Sequence, residues 1–266
     1  MTAPPDATPP AGGAGPPVLL LHGFLGRGAD WDAVRARLPA RDVRAPDLPG
    51  HGAAVGLDDG HYTMDGAADR VLASVGGPQT GGAVDVVGYS MGARLALHLA
   101  VRHAPRVRRL VLVSGSPGLK TEAERAARRR LDAERAVAVA RDLPGFLWAW
   151  YRMPLFSSLH PALRDRLVAD RAAHNDASEL GRSLRGMGTG AQPSHWGALA
   201  GITAPTTAVA GALDPKFVAL AHAMSERLPR PSGAGPVEPV ILGRAGHMVA
   251  AERPSDLAAL LQSLLS

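Results

Sequence analysis

Residues 84–100 read VDVVGYSMGARLALHLA and set Ser90 between Gly88 and Gly92, where an apolar run meets a helical pattern. Val84, Val86 and Val87 fit a short buried strand, and Leu95, Leu97 and Leu99 fit the helix after it. A serine at such a junction can cap the helix, its oxygen accepting from the free amides of the first turn. With a glycine on either side it can instead occupy a strained elbow that exposes its oxygen for chemistry. G-x-S-x-G also arises by chance, so the second reading needs an acid, a base and an oxyanion hole elsewhere in the chain.

Candidates exist for all three. Asp214 follows AVAGAL directly and precedes a helical pattern, and His247 follows VILGR in AGHMVAAERP. Taken alone, Asp214 fits a helix N-cap, and a lone loop histidine is more often structural than catalytic. Taken together, serine, acid and histidine come in the chain order of a triad, each just past a strand. On that reading Asp214 orients the imidazole, His247 takes the serine proton and Ser90 reacts. The amides of Met91, next after the serine, and of Phe24, in the His22–Gly26 loop HGFLG, would form the oxyanion hole. His22, and His51 in PDLPGHG, fit structural roles better than that of a base. The histidines show no H-x-H or H-E-x-x-H spacing, so neither a metal site nor a cofactor is expected.

These residues need a scaffold, and the chain supplies its pattern. Short apolar runs at 18–21, 43–45, 84–87, 110–113, 206–210 and 237–242 alternate with helical stretches at 31–38, 64–75, 91–103, 214–228 and 254–265. That alternation predicts an α/β fold, a parallel sheet covered by helices. Residues 117–196 break the rhythm, with helical pattern and aromatic punctuation but no strand. Eighty residues are too many for a crossover. The expected organisation is therefore a Pro/Ala/Gly-rich disordered tail at 1–16, an α/β core at 17–116 and 197–266, and a helical lid at 117–196 over the sheet's carboxyl edge.

Composition narrows the classes. The 266 residues include no cysteine, which excludes disulfides, thiol catalysis and cysteine-ligated metal. No apolar run approaches the roughly 20 residues needed to span a bilayer. The tail MTAPPDATPPAGGAGPP has neither a basic start nor an apolar segment, so no signal peptide is expected and the expected location is cytoplasmic. The net charge is +5, but only Lys120 and Lys216 are lysines, and the arginines are scattered through an Ala-, Gly- and Pro-rich chain as a coding bias would scatter them. Neither a nucleic-acid nor a membrane partner is expected. The composition leaves the oligomeric state open.

HGFLGRGADW, DLPGHG, GYSMGARLAL, SPGL, ERAAR, WYRMPLFSSL, LVADRAAHN, TGAQPSHW, GALDPKF and AGHMVAAERP together resemble the α/β-hydrolase superfamily and, through the set between 117 and 196, the 2-succinyl-6-hydroxy-2,4-cyclohexadiene-1-carboxylate synthases of menaquinone biosynthesis. The resemblance implies an α/β-hydrolase fold and a lyase. In that family the Ser-His-Asp group abstracts a proton, and elimination releases pyruvate from 2-succinyl-5-enolpyruvyl-6-hydroxy-3-cyclohexene-1-carboxylate to leave a cyclohexadiene ring. It implies anion-binding roles for Arg128, the last residue of ERAAR, and Arg171 in LVADR. It also implies pocket roles for Tyr89, Trp150 and Phe156. A polycarboxylate calls for fixed cations, and guanidinium binds carboxylate bidentately. The chain departs from the family at Ala93, usually glycine, and at Val113, commonly acidic. Two rival readings share the motifs: a carboxylester or carbon–carbon hydrolase with the same triad, and a non-catalytic ligand-binding protein on the same scaffold.

Overall fold

The computed structural model describes residues 15–38, 41–77, 81–229 and 237–266. Residues 1–14 of the expected tail lie outside the described residues. Among those described, β1 (Val18–Leu21), β2 (Val43–Arg44), β3 (Val84–Tyr89), β4 (Val107–Val113), β5 (Thr206–Gly211) and β6 (Val240–Leu242) pair in parallel in the order β2-β1-β3-β4-β5-β6. The chain winds outward from β1 to β2, then returns to place β3 on the other side of β1. The sheet therefore has its switch point between β1 and β3, where a crevice opens at the carboxyl ends of the strands.

Side chains of β1 alternate between two cores, as a strand's period of two requires. Leu19 and Leu21 join one core with α2 (Met64–Ala73) and α3 (Met91–Arg102), whereas Val18 and Leu20 join the other. That second core also takes in Val34 of the short helix α1 (Asp32–Arg35) and several leucines of the C-terminal helix. After β4 come four helices, α4 (Glu122–Arg141), α5 (Leu143–Trp150), α6 (Pro161–His174) and α7 (Ala177–Met187), with a third apolar cluster that includes Leu147, Tyr151 and Leu180 and takes in Leu25 and Met248 from the loops after β1 and β6. The chain then forms β5, α8 (Pro215–Ser225), β6, α9 (Val249–Glu252) and α10 (Pro254–Leu265).

Strand β4 starts three residues before the expected 110, at Val107. The reason is Arg108 and Arg109, which read in sequence as charged interruptions. Arg108 donates to the buried Asp85 carboxylate on β3 and to the Leu265 carbonyl, and Arg109 donates to the carbonyls of Leu264 and Ser266. Arg41 joins the same group, reaching Asp85 Oδ2 at 2.6 Å and the Leu265 carbonyl. These arginines serve the fold, closing the open end of α10. At the other edge β6 is shorter than the expected 237–242, because Pro239 has no N–H to give a ladder. The helix expected at 31–38 is a 3-10 turn, Gly28–Trp31, followed by the single turn of α1.

The turn from β3 into α3 is the tightest junction. A Cβ on Gly92 would overlap the Leu21 carbonyl of β1, and one on Gly88 would overlap the Gly92 carbonyl. Those atoms are backbone, so no rotamer change relieves the overlap. Gly92→Ala is expected to destabilise the protein by about 1–3 kcal/mol, as overpacking does. Gly197→Ala, where a Cβ meets nothing within 4 Å, is expected to stay within about 0.5 kcal/mol. Urea-unfolding midpoints of the two variants check the contrast.

Candidate active site

Ser90 has φ 52° and ψ −106°, outside the regions open to a residue with a side chain. Its N–H donates to the Val113 carbonyl of β4 and its side chain caps nothing. The capping role weighed for this serine is therefore absent, and its oxygen points elsewhere. His247 Nε2 lies 3.0 Å from Ser90 Oγ, and His247 Nδ1 lies 2.8 Å from Asp214 Oδ2. A carboxylate facing Nδ1 keeps the proton there, so Nε2 is free to accept from the Ser90 hydroxyl. Asp214 and His247 are buried.

Asp214 makes the contacts of both readings weighed for it. One oxygen takes the His247 ring, while the other, Oδ1, accepts from Phe217 N–H at 3.3 Å and caps α8. The cap fixes the carboxylate at the helix start, and the ring of Phe217 lies 4.5 Å from that of His247. Met91 is the first residue of α3, where an amide has no acceptor within the helix. The Phe24 amide sits in the loop after β1, whose internal backbone bond runs from Gly26 N–H to the Gly23 carbonyl. His22 is structural: Nδ1 faces the Gly23 carbonyl, Nε2 accepts from Leu48 N–H, and burial pushes its pKa down. His51 is buried too, with its pKa lowered by burial and by His22.

A cleft of about 380 Å³, open mouth included, lies over Ser90. Ser90, His247, Phe24, Tyr89, Trp150, Phe156 and Arg171 line it, so seven of the residues singled out in the sequence meet there. Phe156 and Tyr89 flank the His247 ring at 5.9 and 5.5 Å. Burial raises the Tyr89 pKa well above that of a free phenol, which keeps its hydroxyl protonated. Asp30, Tyr151, Leu155 and Met248 also line it and were missed in the sequence, where nothing in their spacing sets them apart.

Arg171 is buried rather than at the surface. It donates to Asp30 Oδ2 at 2.7 Å, to the neighbouring Asp170 and to the Tyr151 hydroxyl. Burial opposes its charge, but Tyr151 and Asp30 outweigh it and hold the pKa above the ordinary arginine value. Arg128 does not line the cleft. Its guanidinium pairs with Asp132 at 2.7 Å, one turn along α4. A third cation, Arg94, was overlooked. Its guanidinium donates to the Met187 carbonyl and, among the described residues, has no carboxylate within ion-pair distance. Burial and the field of Arg128 push its pKa down to about 10. The signal was available: a cation in the first turn of a helix opposes the positive end of the helix dipole, so it needs an anion nearby. Arg94 sits one turn beyond Ser90, and Arg135, near the same Asp132, lies over the Trp150 ring at the cleft wall. Among the described residues no group of three His, Asp or Glu converges as a metal site.

The family model described as "Alpha/beta hydrolase family" matches residues 18–260. The 2-succinyl-6-hydroxy-2,4-cyclohexadiene-1-carboxylate synthase of Enterobacter sp. (strain 638) is 33% identical, over 94% of this chain and 92% of that protein. A structure described as MenH from S. aureus superposes with a TM-score of 0.83 at 28% identity, covering 94% of this chain and 93% of the other. A malate-bound thermophilic esterase from Thermogutta terrifontis superposes with a TM-score of 0.75 at 26% identity, covering 96% and 90%.

The double duty of Asp214 generates a prediction. Asn caps helices as well as Asp does, so Asp214→Asn should leave stability nearly unchanged while turnover falls roughly 10²–10⁴-fold through loss of the carboxylate at Nδ1. Asp214→Ala should lose the same activity and about 1 kcal/mol of stability besides. Steady-state rates and thermal midpoints, measured on both variants, separate the two roles.

Proposed function

The chain belongs to the alpha/beta hydrolase family, among its 2-succinyl-6-hydroxy-2,4-cyclohexadiene-1-carboxylate synthases, and on that premise we propose that Ser90, His247 and Asp214 carry out a proton abstraction. The protein is a carbon–oxygen lyase that eliminates pyruvate from 2-succinyl-5-enolpyruvyl-6-hydroxy-3-cyclohexene-1-carboxylate. His247 takes the Ser90 hydroxyl proton, and the serine oxygen removes a carbon-bound proton from the substrate. The electron pair of that C–H bond enters the ring as a new double bond, and the C–O bond to the enolpyruvyl group breaks. The enolpyruvate takes up a proton and leaves as pyruvate. The Met91 and Phe24 amides stabilise the negative charge that develops on a carbonyl oxygen beside the reacting carbon.

The observation that carries this reading is an arginine-bearing cleft over the serine. A neutral ester needs no buried guanidinium, whereas a substrate with three carboxylates needs several. Arg171 lines the cleft, Arg135 lies over the Trp150 ring at its wall, and Arg94 and Arg128 are close enough for their charges to interact. Segment 117–196 acts as a lid in this account, supplying Trp150, Phe156 and Arg171 and keeping water from the base. A dry site strengthens both the arginine contacts and the oxyanion hole. The substrate is a small molecule, and we place the reaction in the cytoplasm. Among the described residues no helix is long and apolar enough to cross a membrane.

Following pyruvate release from the synthetic intermediate tests the assignment. The wild type should release pyruvate, with hydrolysis of a chromogenic ester weak or absent, and the opposite pattern would make the protein a hydrolase. Arg94→Met and Arg171→Ala should each cost about 2 kcal/mol in kcat/KM, as the loss of a desolvated charge contact does, and Arg128→Ala, whose guanidinium is tied to Asp132 outside the cleft, should cost less. The exposed Arg130→Ala should change it by less than about 0.5 kcal/mol. Equal losses at all four positions would mean general electrostatic attraction, and added salt would then abolish them.

A further inference from the structure

His247 stands in a loop between β6 and α9, and a loop alone does not hold an imidazole within hydrogen-bond reach of two partners. The Glu252 side chain, at the end of α9, folds back over that loop. Its Oε2 accepts from Gly246 N–H at 3.0 Å and its Oε1 accepts from Met248 N–H at 3.2 Å. Those amides belong to the residues on either side of His247. From the sheet, Ser114 Oγ donates to the His247 carbonyl at 3.0 Å. A Cβ on Gly246 would overlap Ser158 Oγ, so the loop packs closely against the segment between α5 and α6.

Glu252 has no cation to serve: among the described residues it forms no ion pair with an arginine, lysine or histidine, and it does not line the cleft. A carboxylate accepts only, and each of its oxygens meets one of the two amides, which is the complement that two N–H donors require. Resting on the reading of His247 as the base that activates Ser90, we propose that Glu252 is a positioning residue. It holds the N–H groups of the residues on either side of His247 and so sets the imidazole between Asp214 and Ser90. It touches neither the substrate nor the reacting atoms.

Glu252→Gln tests this, because it keeps the shape but turns one acceptor oxygen into an NH2 group that opposes an amide. In the pyruvate-release assay kcat should fall roughly tenfold or more, since misplacing a catalytic group by less than an ångström is costly. KM should stay within about twofold, as expected when substrate contacts are untouched. In the ligand-free protein the downfield proton NMR signal of the His247 Nδ1–H should shift or broaden. That signal needs no substrate, so it reports on positioning even if elimination is not the reaction. Glu252→Asp, which keeps the charge but withdraws the oxygens by one methylene, should show the same pattern and serves if the glutamine variant fails to fold. An unchanged imidazole signal, or a kcat within about twofold of the wild type, would overturn the proposal.

Discussion

Ser90 is held in a backbone conformation that a residue with a side chain adopts only under constraint, at a cost of about 1–3 kcal/mol. The constraint comes from both sides. Its N–H is bonded to Val113 of β4, and the glycines two residues away let α3 approach β1 and β3 until backbone touches backbone. This places the serine oxygen at the switch point of the sheet, with the first turn of α3 pointing its free amides at the same space. Strain recurs along that edge. Among the described residues the other non-glycine positions with positive φ, Leu25, Ser114 and Arg244, follow β1, β4 and β6. Each lies where a strand ends toward the site, and Ser114 also anchors the His247 carbonyl.

Around the elbow the structure solves an electrostatic problem in two ways. Arg171 is neutralised in advance by Asp30 and Asp170, which fixes its fork and lowers its appetite for a further anion. Among the described residues Arg94 has no such partner, and it is buried near the positive end of α3, where its charge is costly. Such a cation favours an anionic ligand over a neutral one, because only the anion relieves it. Arg171 but not Arg94 stands in the cleft wall, alongside the aromatic side chains of Phe24, Tyr89, Trp150, Tyr151 and Phe156.

Much of this was legible in the chain. Gly88-Tyr89-Ser90-Met91-Gly92 between a valine run and a leucine-rich helix, and Asp214 and His247 just past later apolar runs, are local signals, and local signals survive in a single sequence. Asp214 also shows why weighing one role against another can mislead, since a carboxylate has two oxygens and each took a role. Other features are not local. Asp30 and Tyr151 reach the cleft only because the loop after β1 meets the end of α5 in space. The extension of β4 through Arg108 and Arg109 depends on Asp85 and the end of α10, far off in sequence. The pairing of Arg128 with Asp132 was within reach, being an i, i+4 contact on a helix. It ties that guanidinium along α4, outside the cleft lining that the resemblance implied.

The central claim is that Ser90 acts as a base and not as a nucleophile. A hydrolase forms a covalent acyl intermediate on its serine and needs a water to release it, whereas an elimination needs neither. Rapid-quench mass spectrometry of the intact protein during turnover of the enolpyruvyl intermediate tests this directly. The account predicts unmodified Ser90 at every time point while pyruvate accumulates. A burst of substrate-derived mass on Ser90 that decays at the steady-state rate would contradict it.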